Sequence, residues 1–221
     1  MAGLSLPMGI STKGKRLFIA RHGETVFNAT GRMQGMDAHT PLTWEGCEQA
    51  VCMGEALRSH VSDPSALKLV ASPSGRTLQT LALVAAEIHA DWHGHVTDNR
   101  LREIDVGEWE GQYYRSLFPD IGALVDAEHK LFKIVAPGGE DYVAVAVRLR
   151  EWLAEQDFAH DMLVISHGMT ARVLRGLLLG LPDLEGFGAP VAPSLAQGSM
   201  VMIRDGVEEL VIDGAGAGER A

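Results

Sequence analysis

Leu17-Phe18-Ile19-Ala20-Arg21-His22-Gly23-Glu24-Thr25 is the stretch on which the reading of this chain turns. Its first four residues form an apolar run of strand length, and the run ends in Arg21-His22-Gly23. A strand ending in this way presents a guanidinium and an imidazole at the carboxyl edge of a sheet, where open α/β folds place their ligands. A second apolar run, Met162-Leu163-Val164-Ile165-Ser166, ends in His167-Gly168. Two such strands point to two imidazoles meeting across one pocket. Histidines beside arginines make a site for a phosphoryl group that needs no metal.

Working outward, further strand-length apolar runs lie at 67–71, 199–203 and 207–212, with a weaker one near 95–97. Helical patterns separate them. Thr43 is placed to cap a helix running to about Ser59, with Glu45 in its first turn. Leu78, Leu81, Ala82, Ala85 and Ile88 form a second amphipathic stripe, and Tyr142, Val145, Ala146, Leu149, Trp152 and Leu153 a third. The helix after His167 stops at Gly180, with Pro182 beyond. Alternating strands and helices predict an α/β, three-layer sandwich: a mostly parallel central sheet with helices on both faces. Asp205-Gly206 joins the last two runs as a hairpin turn, which predicts an antiparallel edge strand. Residues 110–140 break the rhythm and are read as an inserted helical cap. One domain is expected over 15–213, with a flexible leader at 1–14 and a flexible tail at 214–221.

Composition narrows the classes. The formal net charge of −10 excludes a basic nucleic-acid footprint. No apolar run is long enough to span a bilayer, and the first residues lack the basic and apolar regions of a signal peptide. Cys47 and Cys52 match no zinc or redox spacing and are read as buried free thiols, which places the chain in the cytoplasm. The acidic balance does not preclude an anionic substrate, because charges beyond roughly 8 Å are largely screened at physiological salt. No heptad pattern sets an oligomeric state.

Metal-free hydrolysis of a phosphate monoester needs charge stabilisation, an in-line nucleophile and an acid for the leaving oxygen. His22 is the candidate nucleophile, since imidazole has a reference pKa of about 6.5 and is largely neutral at pH 7. Arg21 beside it offers a bidentate phosphate donor. Asn28 can donate its amide to a phosphoryl oxygen, although a turn-forming asparagine reads the same way. Gln34, in a loop with Gly31, Arg32 and Gly35, can line the mouth. Arg76 falls in the first turn of a helix after Ser72-Pro73, where a cation is disfavoured unless an anion is bound there. An ordinary surface arginine is the competing reading. Glu103, Asp105, Glu108 and Glu110 crowd one segment, and composition does not choose the acid among them. A carboxyl beside a dianion is driven toward its protonated form, as a general acid requires. His167, followed by Gly168, can hydrogen-bond the transferring group. The remaining histidines form no metal-ligand pattern, and Trp109 reads as a packing residue.

Six ordered blocks carry a resemblance. They are Arg21-His22-Gly23-Glu24-Thr25 with Asn28; Pro41-Leu42-Thr43 with Gly46; Ser72-Pro73 with Arg76, Gln79 and Thr80; Leu101 with Glu103, Gly107 and Gly111; Pro137-Gly138-Gly139-Glu140; and Ser166-His167-Gly168. Together, over residues 16–203, the chain resembles the histidine phosphatase superfamily, which includes the cofactor-dependent phosphoglycerate mutases. The resemblance implies a phosphohistidine on His22, phosphate contacts from Arg21, Asn28, Arg76 and His167, and Glu103 as proton donor and acceptor. No cofactor and no metal is expected, since arginines and histidines already meet the phosphate charge and no carboxylate cluster has magnesium or zinc spacing. One departure is Gln197-Gly198-Ser199, where many members carry asparagine.

Family mutases carry extra Lys and Arg after the Glu block. Residues 104–136 hold only Arg115, Lys130 and Lys133 among Tyr113, Tyr114, Leu117, Phe118 and Phe132. That cap favours a phosphatase acting on the phosphate ester of a small metabolite. A mutase, or a binding domain without catalysis, is the alternative; the latter is disfavoured because every key group is present.

Overall fold

The structure, a computed structural model, describes residues 9–117 and 124–214. Six strands form one sheet: β1 (Leu17–Arg21), β2 (Lys68–Ala71), β3 (Val96–Thr97), β4 (Met162–Ser166), β5 (Met200–Arg204) and β6 (Val207–Ile212), in the spatial order β3-β2-β4-β1-β5-β6. The helices are α1 (Val26–Thr30), α2 (Trp44–Arg58), α3 (Gly75–Glu87), α4 (Tyr114–Leu117), α5 (Tyr142–Ala154) and α6 (Gly168–Leu179). β3, β2, β4 and β1 pair in parallel. β6 pairs antiparallel with β5, as the Asp205-Gly206 turn implies. The departure from the expectation lies one strand further in. β5 is itself antiparallel to β1, so the reversed strand is the penultimate one, and β6 at the edge runs in the direction of the parallel strands.

Side chains alternate across the sheet and build a core on each face. Leu17 and Ile19 of β1 join Val164, Val201, Trp152 and Leu174 on the α5–α6 side. Phe18 and Ala20 join Leu163, Met53, Leu57 and Leu81 on the α2–α3 side. The central strands are therefore apolar along most of their length, because both faces are covered. Leu124, Leu131 and Trp109 belong to the α5–α6 core, so the inserted segment is packed onto the domain. In its described part this insertion contains α4 and an antiparallel bridge between Val125 and Phe132. Phe118 lies outside the described residues.

Two local expectations are corrected. Cys52 is exposed and Cys47 only half-buried, because the buried stripe of α2 runs through Ala50, Met53 and Leu57. Residues 9–14, read as the end of a loose leader, are tied to the fold. Thr12 is fully buried, and its backbone N–H donates to Asp205 Oδ1 at 2.9 Å, joining this segment to the β5–β6 turn. Residues 1–8 and 215–221 lie outside the described residues. Among the described residues no helix is long and apolar enough to cross a membrane.

Candidate active site

The site grows from strand register. Arg21 of β1 lies opposite Ser166 of β4, so the next residue on each strand, His22 and His167, comes off the sheet edge at one level. Their rings meet edge to face with centroids 5.3 Å apart. His22 Nδ1 lies 2.7 Å from the Gly23 carbonyl oxygen. A carbonyl can only accept, so Nδ1 carries the proton and Nε2 keeps its lone pair. On His167 the order is reversed. Arg76 Nε donates to Nδ1 at 3.2 Å, which leaves Nε2–H to donate to Ser72 Oγ at 2.8 Å.

Burial, reinforced by the Arg76 charge, holds both imidazoles well below the ordinary histidine range. Both are therefore neutral at pH 7, and the candidate nucleophile stays unprotonated into mildly acidic solution. The same shift predicts a pH dependence of stability. Below the unfolded value of about 6.5 the denatured chain takes up protons that the folded chain refuses, so stability falls as pH falls. Urea titrations between pH 7.5 and 5.5 should show up to two protons taken up on unfolding in that window, and one fewer in His22→Ala. Stability independent of pH there would contradict buried neutral rings.

Arg76 is the second residue of α3 and only 1% exposed. It donates to the carbonyls of Asp37 (2.5 Å) and Gly35 (2.9 Å), to Thr40 Oγ1 (3.2 Å) and to His167. Among the described residues no carboxylate forms an ion pair with it, so its charge is available to a bound anion. Arg21 donates to the Leu195 carbonyl at 2.6 Å. Its guanidinium lies against Gly168, where an added Cβ would come within 3.3 Å of Arg21 Cζ. The Gly168 of the His-Gly motif thus makes room for the arginine of the first motif. Gly23 and Gly46 are paired in a similar way: a Cβ on Gly23 would meet the Gly46 carbonyl oxygen at 2.2 Å.

Asn28 and Thr25 form a capping box on α1. The Thr25 N–H donates to Asn28 Oδ1 at 3.1 Å, which turns the Asn28 amide nitrogen toward the cavity that the residue lines. Gln34 Oε1 is 2.8 Å from Thr40 Oγ1, so its own amide nitrogen is likewise the free end. The Gln197-Gly198-Ser199 departure does not disturb the strand end. The Gly198 N–H donates to the His22 carbonyl, and Arg21 N–H donates to the Ser199 carbonyl.

Glu103 is selected from its acidic cluster by tertiary packing. It sits at the start of α6, where its carboxylate accepts from Thr170 N (3.0 Å) and Met169 N (3.2 Å). These are helix N-terminal amides that lack an intrahelical partner. The N-cap His167 supplies no side-chain cap, and Glu103 fills that role from a distant loop. Neighbouring contacts hold the loop: Thr170 Oγ1 donates to the Arg102 carbonyl at 2.6 Å, and Glu140 bonds Arg148 at 2.9 Å and Arg102 at 3.2 Å. The Pro-Gly-Gly-Glu block therefore anchors the segment carrying Glu103. Asp105, Glu108 and Glu110 do not line the cavity.

His22, Arg21, Arg76, Asn28, Gln34, Glu103 and Gly168 all line one cavity of about 490 Å³. His167 stands behind His22 and is fully buried. The wall also includes Tyr114, Val125, Phe132 and Met169. Five cations line the cavity (Arg21, Arg32, Arg76, Lys130 and Arg172) against two carboxylates, Glu24 and Glu103. Counting charges in the cap alone misjudged this wall. Of the three basic cap residues only Lys130 reaches it, while Arg32 and Arg172 arrive from the loop after α1 and from α6. Arg172 was not foreseen: on its helix it reads as one more polar residue in an apolar stripe. Among the described residues no group of three or more His, Cys, Asp or Glu could hold a metal ion.

The family model of the histidine phosphatase superfamily (branch 1) matches residues 17–211. The chain belongs to this superfamily. A probable phosphoglycerate mutase GpmB from Yersinia enterocolitica is 34% identical over 180 residues, covering 76% of each chain. Among solved histidine phosphatase-like structures, a candidate alpha-ribazole-5'-P phosphatase from Escherichia coli superposes with TM-score 0.68 at 27% identity, covering 94% of this chain and 100% of its own. A mycobacterial glucosyl-3-phosphoglycerate phosphatase in complex with VO3 gives TM-score 0.68 at 26% identity, covering 90% of this chain and 98% of its own. The six-stranded α/β sandwich is thus the fold of this superfamily.

Proposed function

We propose that this histidine phosphatase hydrolyses a phosphate monoester of a small metabolite through a phosphohistidine on His22. The observation that carries the reading is the His22 tautomer: Gly23 holds the Nδ1 proton, leaving a lone pair on Nε2 in a cavity lined by Arg21, Arg76 and Glu103. Nε2 attacks phosphorus in line as the ester oxygen departs. Arg21, Arg76, Asn28 and Gln34 meet the charge on the equatorial oxygens. His167, neutral and with both ring nitrogens engaged by Arg76 and Ser72, stands behind His22 and positions Arg76 for the transferring group. Glu103 protonates the leaving oxygen, then takes a proton from the water that attacks the phosphohistidine. No step calls for a metal ion. The free thiols Cys47 and Cys52 accord with a reducing, cytoplasmic setting.

Water is the proposed acceptor because Tyr114, Val125 and Phe132 of the cavity wall suit the carbon skeleton of an ester, and of the three basic cap residues only Lys130 joins them there. The runner-up is a mutase, favoured by the name of the Yersinia enterocolitica relative. The deciding experiment supplies 3-phosphoglycerate with catalytic 2,3-bisphosphoglycerate and follows 2-phosphoglycerate and inorganic phosphate together. Phosphate release should dominate, and treatment with EDTA followed by desalting should leave it intact. Interconversion outrunning release by about a hundredfold would establish the mutase instead. Activity lost to EDTA and restored by magnesium or zinc would overturn the metal-free mechanism.

A further inference from the structure

The two carboxyl oxygens of Glu103 are not equivalent. Oε1 accepts from two backbone amides, those of Ile104 and Thr170, each at 3.0 Å. Oε2 accepts from one, the Met169 amide, at 3.2 Å. Each carboxylate oxygen offers two lone pairs, so Oε1 is fully engaged and Oε2 keeps one pair. A proton on Oε1 would displace a bonded N–H, whereas a proton on Oε2 displaces nothing. Thr170 sets this asymmetry. It is the third residue of α6 and fully buried. A threonine inside a helix ordinarily returns its hydroxyl to a carbonyl of the preceding turn. Thr170 instead donates to the carbonyl of Arg102, 68 residues earlier in the chain, at 2.6 Å. The same Oγ1 lies 3.2 Å from Glu103 Oε1, and Arg148 of α5 donates to it at 3.4 Å. One side chain thus holds the residue before Glu103 while its amide holds one oxygen of Glu103 itself.

We propose that Thr170 is a positioning residue for the acid step: it clamps Arg102 and Glu103 onto the first turn of α6, so that Oε1 stays on the amides and Oε2 carries the proton given to the leaving oxygen. As the P–O bond breaks, the ester oxygen keeps the electron pair and takes the proton from Oε2, which leaves Glu103 a carboxylate. A proton from the next acceptor's hydroxyl then returns to Oε2. This rests on the reading of Glu103 as the acid, and it holds whether water or a metabolite empties the phosphohistidine.

The test uses the full chain and follows the first release of phenol by rapid quench, with phenyl phosphate as the poor leaving group and 2,4-dinitrophenyl phosphate as the good one. Thr170→Val keeps the shape and the amide but removes the hydroxyl. It should slow release from phenyl phosphate by about tenfold or more, toward the 10²-fold scale of a reacting group misplaced by about 1 Å. Release from the dinitrophenyl ester should change by less than about twofold, because that leaving group departs unprotonated. Thr170→Ser, which keeps the hydroxyl, should stay close to the wild type on both esters. The burst amplitude counts competent sites, so a loss of folded protein does not imitate a slower step, and Thr170→Ala serves if valine prevents folding. Placed on Glu103→Gln, Thr170→Val should cost nothing further on phenyl phosphate, since the acid it positions is gone. Equal slowing of both esters, or a full additional loss in the Glu103→Gln background, would overturn the proposal. Glu103→Gln alone separates the two readings. If it shows the leaving-group dependence and Thr170→Val does not, only the positioning role fails. If Glu103→Gln shows none, Glu103 is not the acid and both fail.

Discussion

Replacing His22 with alanine should abolish phosphoenzyme and lower turnover by about 10⁴–10⁶-fold, the scale seen when a covalent nucleophile is removed while the rest of the site remains. In the intact protein, quenching under basic conditions with labelled ester should trap a phosphoprotein that is stable to base and lost in acid, as a phosphoramidate bond is. The expectation follows from geometry. His22 is 3% exposed, its Nδ1 is held by Gly23, and its Nε2 is left as the free nitrogen on a wall shared with Arg21 and Arg76. The variant should fold, because the backbone bonds at residue 22, to the Ser166 carbonyl and from the Gly198 N–H, do not involve the ring. A His22→Ala enzyme that turns over at the wild-type rate, or a trapped phosphate that maps to His167, would refute the assignment.

Glu103→Gln should lower activity by about 10²–10⁴-fold for esters with poor leaving groups, and by much less for those whose leaving group departs unprotonated. Glu103 has a second task that must be separated from the first. Its carboxylate accepts from the Met169 and Thr170 amides at the start of α6. The glutamine amide cannot accept at both oxygens' positions, and it removes a negative charge from a helix N-terminus, an effect worth about 0.3–1 kcal/mol. A modest drop in Tm is therefore expected and does not depend on the ester. The leaving-group dependence is the catalytic signature. An equal loss across good and poor leaving groups would make Glu103 a structural cap alone and send the search for the acid back to Asp105 or Glu108.

Much of this was legible from local pattern. Strand and helix identity follow from apolar periodicity, which the sequence carries within windows of a few turns. The ends of α2 and α6 follow from Thr43 and Gly180, whose capping chemistry is also local. The candidate residues stood at strand ends, so the resemblance of six short blocks pointed to the family before any contact was known. The overturned readings share one cause. Exposure of Cys52, the ordering of residues 9–14 and the reversal of β5 each depend on what a distant segment places alongside.

By itself, then, the sequence determined the layers, the strand-end histidines and the inventory of candidate phosphate-binding groups, because each rests on residues close together along the chain. Only the tertiary structure decided the rest. The β1–β4 register set His22 against His167. The N-terminus of α6 chose Glu103 from four acidic neighbours by offering it two unpaired amides. The packing of Gly23 on Gly46 and of Arg21 on Gly168 explained glycines that the motifs merely contained. The cavity drew further charge from Arg32, Lys130 and Arg172, residues spread over three segments. A carboxylate's role and a cavity's charge are set by distances across the fold, and those distances exist only once strands separated by more than a hundred residues have paired.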